Sequence, residues 1–164
     1  MKTILITLLV ATTLLAQVEL RRAVRSPHSP ATISQAERLT PEQRVIALTI
    51  LAEARGEGEA GMYAVACVIQ QRMKQRKACG ITICTANKQF SCWNNGRPSA
   101  KLLDKSKQHS YALRLAKHMS AGKELDRKYV KFADHYCTLK CNPYWAKGKK
   151  PVKIIGNHKF FKLN

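Results

Sequence analysis

TPEQRVIALTILAEARGEGEAGMYAVACVIQQRMKQR, residues 40–76, reads as two helices joined by a glycine-broken corner. Thr40 can cap the first, Pro41 suits the first helical position, and Gln43 completes a capping box. Val45, Leu48 and Ala52, with Leu51 alongside, form an apolar stripe of helical period, and Gly56 and Gly58 stop the helix near Arg55. The second helix is expected over 60–76, where Met62, Val65, Ala66, Ile69 and Met73 share one face.

Working outward, residues 79–98 read as a loop rich in Cys, Asn and Gly, with Phe90 and Trp93 inside it. Ser99 can cap a third helix over 99–121, closed by Gly122. Residues 129–137 alternate as a half-buried strand would, with Val130 and Phe132 on one face and Lys131 on the other. Residues 152–155 and 159–161 look like short strands around a Gly156-Asn157 turn. Helices first and strands afterwards give an α+β domain, mainly helical, with a small antiparallel sheet in its C-terminal third.

On the N-terminal side, Met1-Lys2 precedes an uncharged apolar run over 3–16, too short for a stable membrane span. This reads as a signal peptide over 1–16, with an uncleaved anchor as the alternative. Residues 17–38, rich in Arg, Ser, Pro and Ala, read as a flexible linker, leaving 39–164 as the domain. At 164 residues the chain is long enough for one domain with a real core. An exported location is therefore expected.

The net charge is +19, and of ten acidic residues none lies between Gly61 and Leu103 and none follows Asp134. Such a surface attracts polyanions: nucleic acid, anionic lipid or an anionic cell wall. Six cysteines in an exported chain favour disulfides over zinc, because the spacings Cys79-x4-Cys84 and Cys137-x3-Cys141 are not those of common zinc sites. Cys137 is expected to join Cys141, with at least one bridge among Cys79, Cys84 and Cys92, and Cys67 left open.

Glu53 is the first candidate for chemistry. It sits one turn before the first helix must stop, where the negative end of the dipole penalises an ionised carboxylate. Its neighbours Ala52 and Ala54 offer no partner, and apolar walls would favour the protonated form that glycoside cleavage requires of a general acid. A surface glutamate paired with Arg55 or a lysine is the alternative. Glu57 and Glu59 are expected to favour the positive N-terminal end of the second helix. His135, Tyr136, Trp145 and His158 can stack on sugars or donate to their hydroxyls, or can simply pack in the core. His109 and His118 read as surface residues. There is no P-loop and no G-x-G-x-x-G.

Three segments resemble the SleB-like cell wall hydrolases, a family that includes spore cortex-lytic enzymes. Ala52-Glu53-Ala54-Arg55-Gly56-Glu57, continuing through Gly61, Ala64-Val65-Ala66, Val68 and Arg72, is similar to the signature E-x-x-G-E…G…A-V-A-x-V-x-x-R. Gln89-Phe90-Ser91-Cys92-Trp93 is similar to a Q-F-S segment. Asp134-His135-Tyr136, Pro143, Trp145 and Ile155-Gly156-Asn157-His158-Lys159-Phe160-Phe161 resemble a closing block. The match runs in order over residues 40–162. Cys137 and Cys141 depart from it, standing where many relatives have polar loop residues.

The resemblance implies a lysozyme-like fold and lytic transglycosylase activity on peptidoglycan, with Glu53 as catalytic glutamate. Substrate contacts are expected at Gln89, Phe90, Ser91, Trp93, His135, Tyr136, Trp145 and His158. No cofactor, metal or nucleic-acid partner is expected; the partners are peptidoglycan and, through the basic surface, anionic wall polymers, met by a monomer. A hydrolytic muramidase on the same fold, with Asp134 or Glu57 as second carboxylate, and a non-enzymatic cationic binder are the rival readings.

Overall fold

The structure, a computed structural model, describes residues 38–94 and 96–164. The signal peptide expected over 1–16, and all but the last residue of the linker, lie outside them. The first helix, α1, spans Pro41–Ala54 and opens with the expected capping box: the Gln43 N–H donates to Thr40 Oγ1 and the Thr40 N–H to Gln43 Oε1, each at 3.2 Å. An apolar stripe understates this helix. Ile46, Ala47, Leu48, Thr49, Ile50, Leu51 and Ala54 are buried all round it, while Val45 and Ala52 are only half-buried. It is the central helix of the domain, enclosed by neighbours on several sides.

A 3-10 turn, Arg55–Glu57, leads into α2, Gly58–Arg76. This second helix packs on α1, buries Met62, Val65, Val68 and Ile69, and ends where Lys77 turns left-handed at φ 50°. The segment read as a loop over 79–98 contains a short helix, α3, Gly80–Thr85, and a 3-10 turn, Ser91–Trp93. Ile83 and Cys84 bury α3 against α1, and the Gly80 N–H donates to Glu42 Oε1 at 2.6 Å. The single helix expected over 99–121 is broken into α4, Leu102–Lys105, and α5, His109–Ser120. Ser106 makes the break: its backbone is extended, its Oγ accepts from the Gln108 N–H at 3.3 Å, and its carbonyl meets His109 Nδ1 at 2.7 Å.

The expected strand over 129–137 is mostly not a strand. Arg127–Val130 is a 3-10 turn, and Lys131 and Phe132 adopt left-handed φ of 52° and 58°, which no ladder accommodates. Val130 is buried and Phe132 exposed, so they do not share a face. Only His135–Thr138 pairs, as β1. With β2, Lys153–Ile155, and β3, His158–Phe161, it forms an antiparallel sheet in the order β1-β3-β2. Gly156 and Asn157 make the two-residue turn between β2 and β3, as read from the sequence. The domain is therefore mainly helical α+β.

The register places Tyr136 opposite Phe160, Thr138 opposite His158, and His135 opposite Phe161. Because side chains alternate along a strand, Tyr136, His158 and Phe160 face the helical core while His135, Cys137 and Phe161 face the other way. That second face carries its own small cluster with Ala146 and Trp145 from the 3-10 turn Tyr144–Ala146.

All six cysteines are free thiols, so the expected bridges are not made. Cys137 Sγ points to the Cys141 carbonyl at 3.6 Å rather than to its sulfur, and Cys79 Sγ meets Thr82 Oγ1 at 3.3 Å. Cys79 is exposed ahead of α3 while Cys84 is buried beneath it. Cys67 lies on α2 with its thiol 3.6 Å from the Asp126 carbonyl.

Candidate active site

Glu53 emerges at the last turn of α1, half-buried, four residues after the fully buried Thr49 on the same helical face. It is not without partners. Ser91 Oγ and the Cys92 N–H both donate to Oε1 at 3.1 Å, and Tyr136 Oη donates to Oε2 at 2.9 Å. One carboxylate thus gathers donors from a 3-10 turn and from a strand that reach it from separate parts of the chain. Neither Ala52 nor Ala54 supplies them, so the residues around Glu53 in sequence carry no hint of its partners.

The supports behind these donors are themselves specified. Phe90 is 1 % exposed, an anchor packed under Tyr136 with ring centroids 6.3 Å apart, and the Arg72 guanidinium lies 5.0 Å over its ring. Arg72, buried on α2, donates Nε to the Asp134 carbonyl at 2.6 Å and Nη1 to the Gln89 carbonyl at 3.4 Å. It therefore ties together the backbone leading into Ser91–Trp93 and the backbone leading into β1. Trp93 donates Nε1 to Thr49 Oγ1 at 2.9 Å, fixing the same turn against α1 one helical turn from Glu53. Arg72 and Thr49 did not stand out as site residues in the sequence, since a buried arginine and threonine are recognised only by what they bond.

The electrostatics fit this arrangement. Burial, and then the charge of Glu53, pushes the Tyr136 hydroxyl well above its ordinary value, so it stays protonated and able to donate. The Cys92 thiol is raised for the same two reasons. Asp134 is the opposite case. Its side chain is 1 % exposed, and burial alone would raise it. Hydrogen bonds from His135 Nδ1, the Leu163 N–H, Gln75 Nε2 and Asn164 outweigh that and hold it at about 2.

The residues named from sequence divide into groups. Ser91 and Tyr136 touch Glu53 directly, and Trp93 braces the turn beside it. His158 stands edge-on to the Tyr136 ring at 5.2 Å; it is 5 % exposed, and its Nδ1 has no hydrogen-bond partner among the described residues. Phe90 is core and presents no ring surface to a ligand. Gln89 is turned to Arg76, accepting from Nη2 at 3.0 Å. His135 and Trp145 pack on each other at 5.1 Å on the far face of the sheet, because His135 neighbours Tyr136 in an alternating strand.

Glu57 stands at the N-cap position of α2, beside the positive end expected for it. Its side chain makes no cap bond there; it accepts from the Asn157 N–H at 2.7 Å and from Asn157 Nδ2 at 3.2 Å, a hundred positions away. Among the described residues, no hydrogen bond at Glu53 involves a second carboxylate. Among the same residues no group of three or more His, Cys, Asp or Glu is arranged to hold a metal ion.

The family model described as Cell Wall Hydrolase matches residues 56–161, well over half of the chain. The matched span opens just after Glu53 and contains Glu57, Ser91, Cys92, Tyr136 and Asn157. No curated protein and no solved structure matches the chain.

Proposed function

The chain belongs to the cell wall hydrolase family, and from that premise we propose that it cleaves the glycan strand of peptidoglycan with Glu53 as its acid–base catalyst. The observation that carries the proposal is the set of three donors converging on one half-buried carboxylate. They fix both oxygens in space, which a proton donor to a glycosidic oxygen needs.

The chemistry requires one such group. Protonated Glu53 gives its proton to the oxygen between N-acetylmuramic acid and N-acetylglucosamine, and the C1–O bond breaks. The departing sugar leaves with a hydroxyl, and an oxocarbenium-like centre remains at C1 of the muramic residue. Ionised Glu53 then takes the proton of the muramic C6 hydroxyl as that oxygen bonds to C1. The product is a 1,6-anhydro sugar, no water is consumed, and the enzyme returns to its starting state. Tyr136 can follow the proton on Oε2, because a phenol hydroxyl accepts as well as donates.

A hydrolytic muramidase uses a second carboxylate to act on water or on the sugar. Neither candidate for that role stands at Glu53: Asp134 is 1 % exposed and bonds His135, Leu163, Gln75 and Asn164, and Glu57 bonds Asn157. This favours the transglycosylase course. The net charge of +19 supports attraction to anionic wall polymers, and the uncharged apolar run over 3–16 supports export to where the wall lies.

The test is Glu53→Gln, which keeps shape but carries no transferable proton. Release of muropeptides from purified peptidoglycan should fall by at least ~10²–10⁴-fold, with the thermal melt kept close to that of the unaltered protein. Mass spectrometry of the wild-type digest should find 1,6-anhydromuramoyl ends. Reducing ends would instead establish the hydrolytic course, and an active, folded Glu53→Gln protein would sink the mechanism.

A further inference from the structure

Glu57 is the other glutamate of the Glu53–Glu57 corner, and the fold holds it for something other than starting α2. Its carboxylate grips Asn157 twice, through the backbone N–H at 2.7 Å and the side-chain Nδ2 at 3.2 Å. Two glycines make room for it. A Cβ on Gly156 would collide with Glu57 Oε2, and one on Gly61 would collide with the Glu57 side chain. Gly156 also takes a left-handed φ of 53°, so the turn needs glycine on two counts. Such close approach from both sides leaves this carboxylate little freedom.

The connections beyond Asn157 return to Glu53. The Asn157 carbonyl accepts from the Leu139 N–H at 2.7 Å, just past the end of β1. Through β3 the same turn is locked to β1, with Thr138 opposite His158 and Tyr136 opposite Phe160. Tyr136 then donates to Glu53 Oε2. Glu53 and Glu57 are joined covalently through the Arg55–Glu57 turn. The result is a closed ring: Glu53, the turn, Glu57, Asn157, the paired strands, Tyr136 and Glu53 again. It has two weak junctions, the Glu57–Asn157 pair and the Tyr136–Glu53 bond.

We propose that Glu57 is a positioning residue, which by clamping Asn157 sets the sheet at the distance where Tyr136 reaches Glu53. This rests on the reading of Glu53 as the acid–base catalyst. If the clamp opens, β1 keeps its tie to Arg72 and its packing on the core but loses the bond that holds the β2–β3 turn to the Glu57 corner. A misplacement of about an ångström at reacting groups is enough to cost ~10²-fold in rate. Substrate binding relies on other surfaces and should change little, so the signature is a fall in kcat with KM nearly unmoved.

The geometry provides its own rescue. In Glu57→Ala both bonds to Asn157 are lost. In Glu57→Gln the carbonyl can accept the backbone N–H while the amide donates to Asn157 Oδ1 once that side chain turns over, so both bonds are kept without the charge. Muropeptide release is measured over a series of wall concentrations for the full chain, with folded fraction read by circular dichroism.

Glu57→Ala should lower kcat by about 10–100-fold with KM within about twofold, and Glu57→Gln should keep most of the wild-type kcat. Asn157→Ala, which removes only the side-chain bond, should fall by roughly 3–10-fold and guards against a misfolded Glu57 variant. Undiminished kcat in both Glu57→Ala and Asn157→Ala, or a Glu57→Gln protein no better than Glu57→Ala, overturns the clamp. A wild-type protein that releases no muropeptides, or a fully active Glu53→Gln, overturns instead the reading on which it rests.

Discussion

Replacing Asp134 by Asn should destabilise the protein by about 2–3 kcal/mol at neutral pH while leaving turnover per folded molecule almost unchanged. The side chain is 1 % exposed, and its two oxygens accept from His135 Nδ1 and the Leu163 N–H at 2.9 Å, and from Asn164 and Gln75 at 3.0 to 3.3 Å. An amide offers one oxygen where the carboxylate offers two, so an N–H would face N–H donors. The charge itself has a size. The carboxyl is held at about 2 against an ordinary 3.8, which at 1.36 kcal/mol per pH unit amounts to about 2.5 kcal/mol.

The sign follows from proton uptake. Between about pH 4 and pH 2 the unfolded chain binds the proton and the folded one does not, so stability falls as the pH drops through that window. Urea unfolding of both proteins at 25 °C gives the comparison. The gap of about 2–3 kcal/mol at pH 7 should shrink by about 1 kcal/mol at pH 3 and narrow further toward pH 2. A gap indifferent to pH, or an Asp134→Asn protein as stable as the wild type, would refute the account of this carboxylate as a charged tie. Loss of activity at undiminished stability would make Asp134 a reacting group and restore the hydrolytic reading.

Tyr136→Phe deletes only the hydroxyl that donates to Glu53 and leaves the ring against Phe90, His158 and Phe160. A hydrogen bond to a charged group is worth about 1.5–3 kcal/mol, so kcat should fall by about 10–100-fold; an unaltered kcat excludes Tyr136 from the centre. The thiols can be counted by alkylation without a reductant. At about pH 7.5 Cys79 should react early, since it is exposed and its bond with Thr82 lowers its thiol from the ordinary value, while Cys67 and Cys84, pushed by burial to about 12, should react only on unfolding. Fewer than six labels after denaturation would show that bridges exist.

Local rules made α1, α2 and the β2–β3 turn legible, because each is announced by neighbours in sequence: Thr40 with Gln43, the apolar run of α2, and Gly156 with Asn157. They failed where a short-range bond outcompetes periodicity. Ser106 interrupts a run that reads as one helix, and Lys131 and Phe132 turn left-handed inside an apparently alternating strand. The candidate site shows the same division. Glu53 and Tyr136 were identifiable by type and order, but nothing near Glu53 in sequence told of Ser91, Cys92 or Tyr136 as its donors. Strand alternation separated His135 from Tyr136, and burial withdrew Phe90, two outcomes that depend on which face of an element meets the core. Glu57 had an ordinary local role available to it, and a partner a hundred residues away claimed it instead.

The donors on Glu53 also put the assembly of the centre in time. Ser91 and Cys92 lie 38 and 39 positions beyond it, and Tyr136 lies 83 beyond. A ribosome releases the chain from its N-terminal end, and α1 to α3 can begin to collapse while the sheet has not yet been translated. At that stage Glu53 is present with the Tyr136 hydroxyl still unmade, and the Glu57–Asn157 junction needs a further 21 residues of chain after Tyr136. A nascent or prematurely terminated product therefore carries the glutamate without the apparatus that aims it. Under the proposed glycan cleavage, completeness of the polypeptide would serve as a first safety catch.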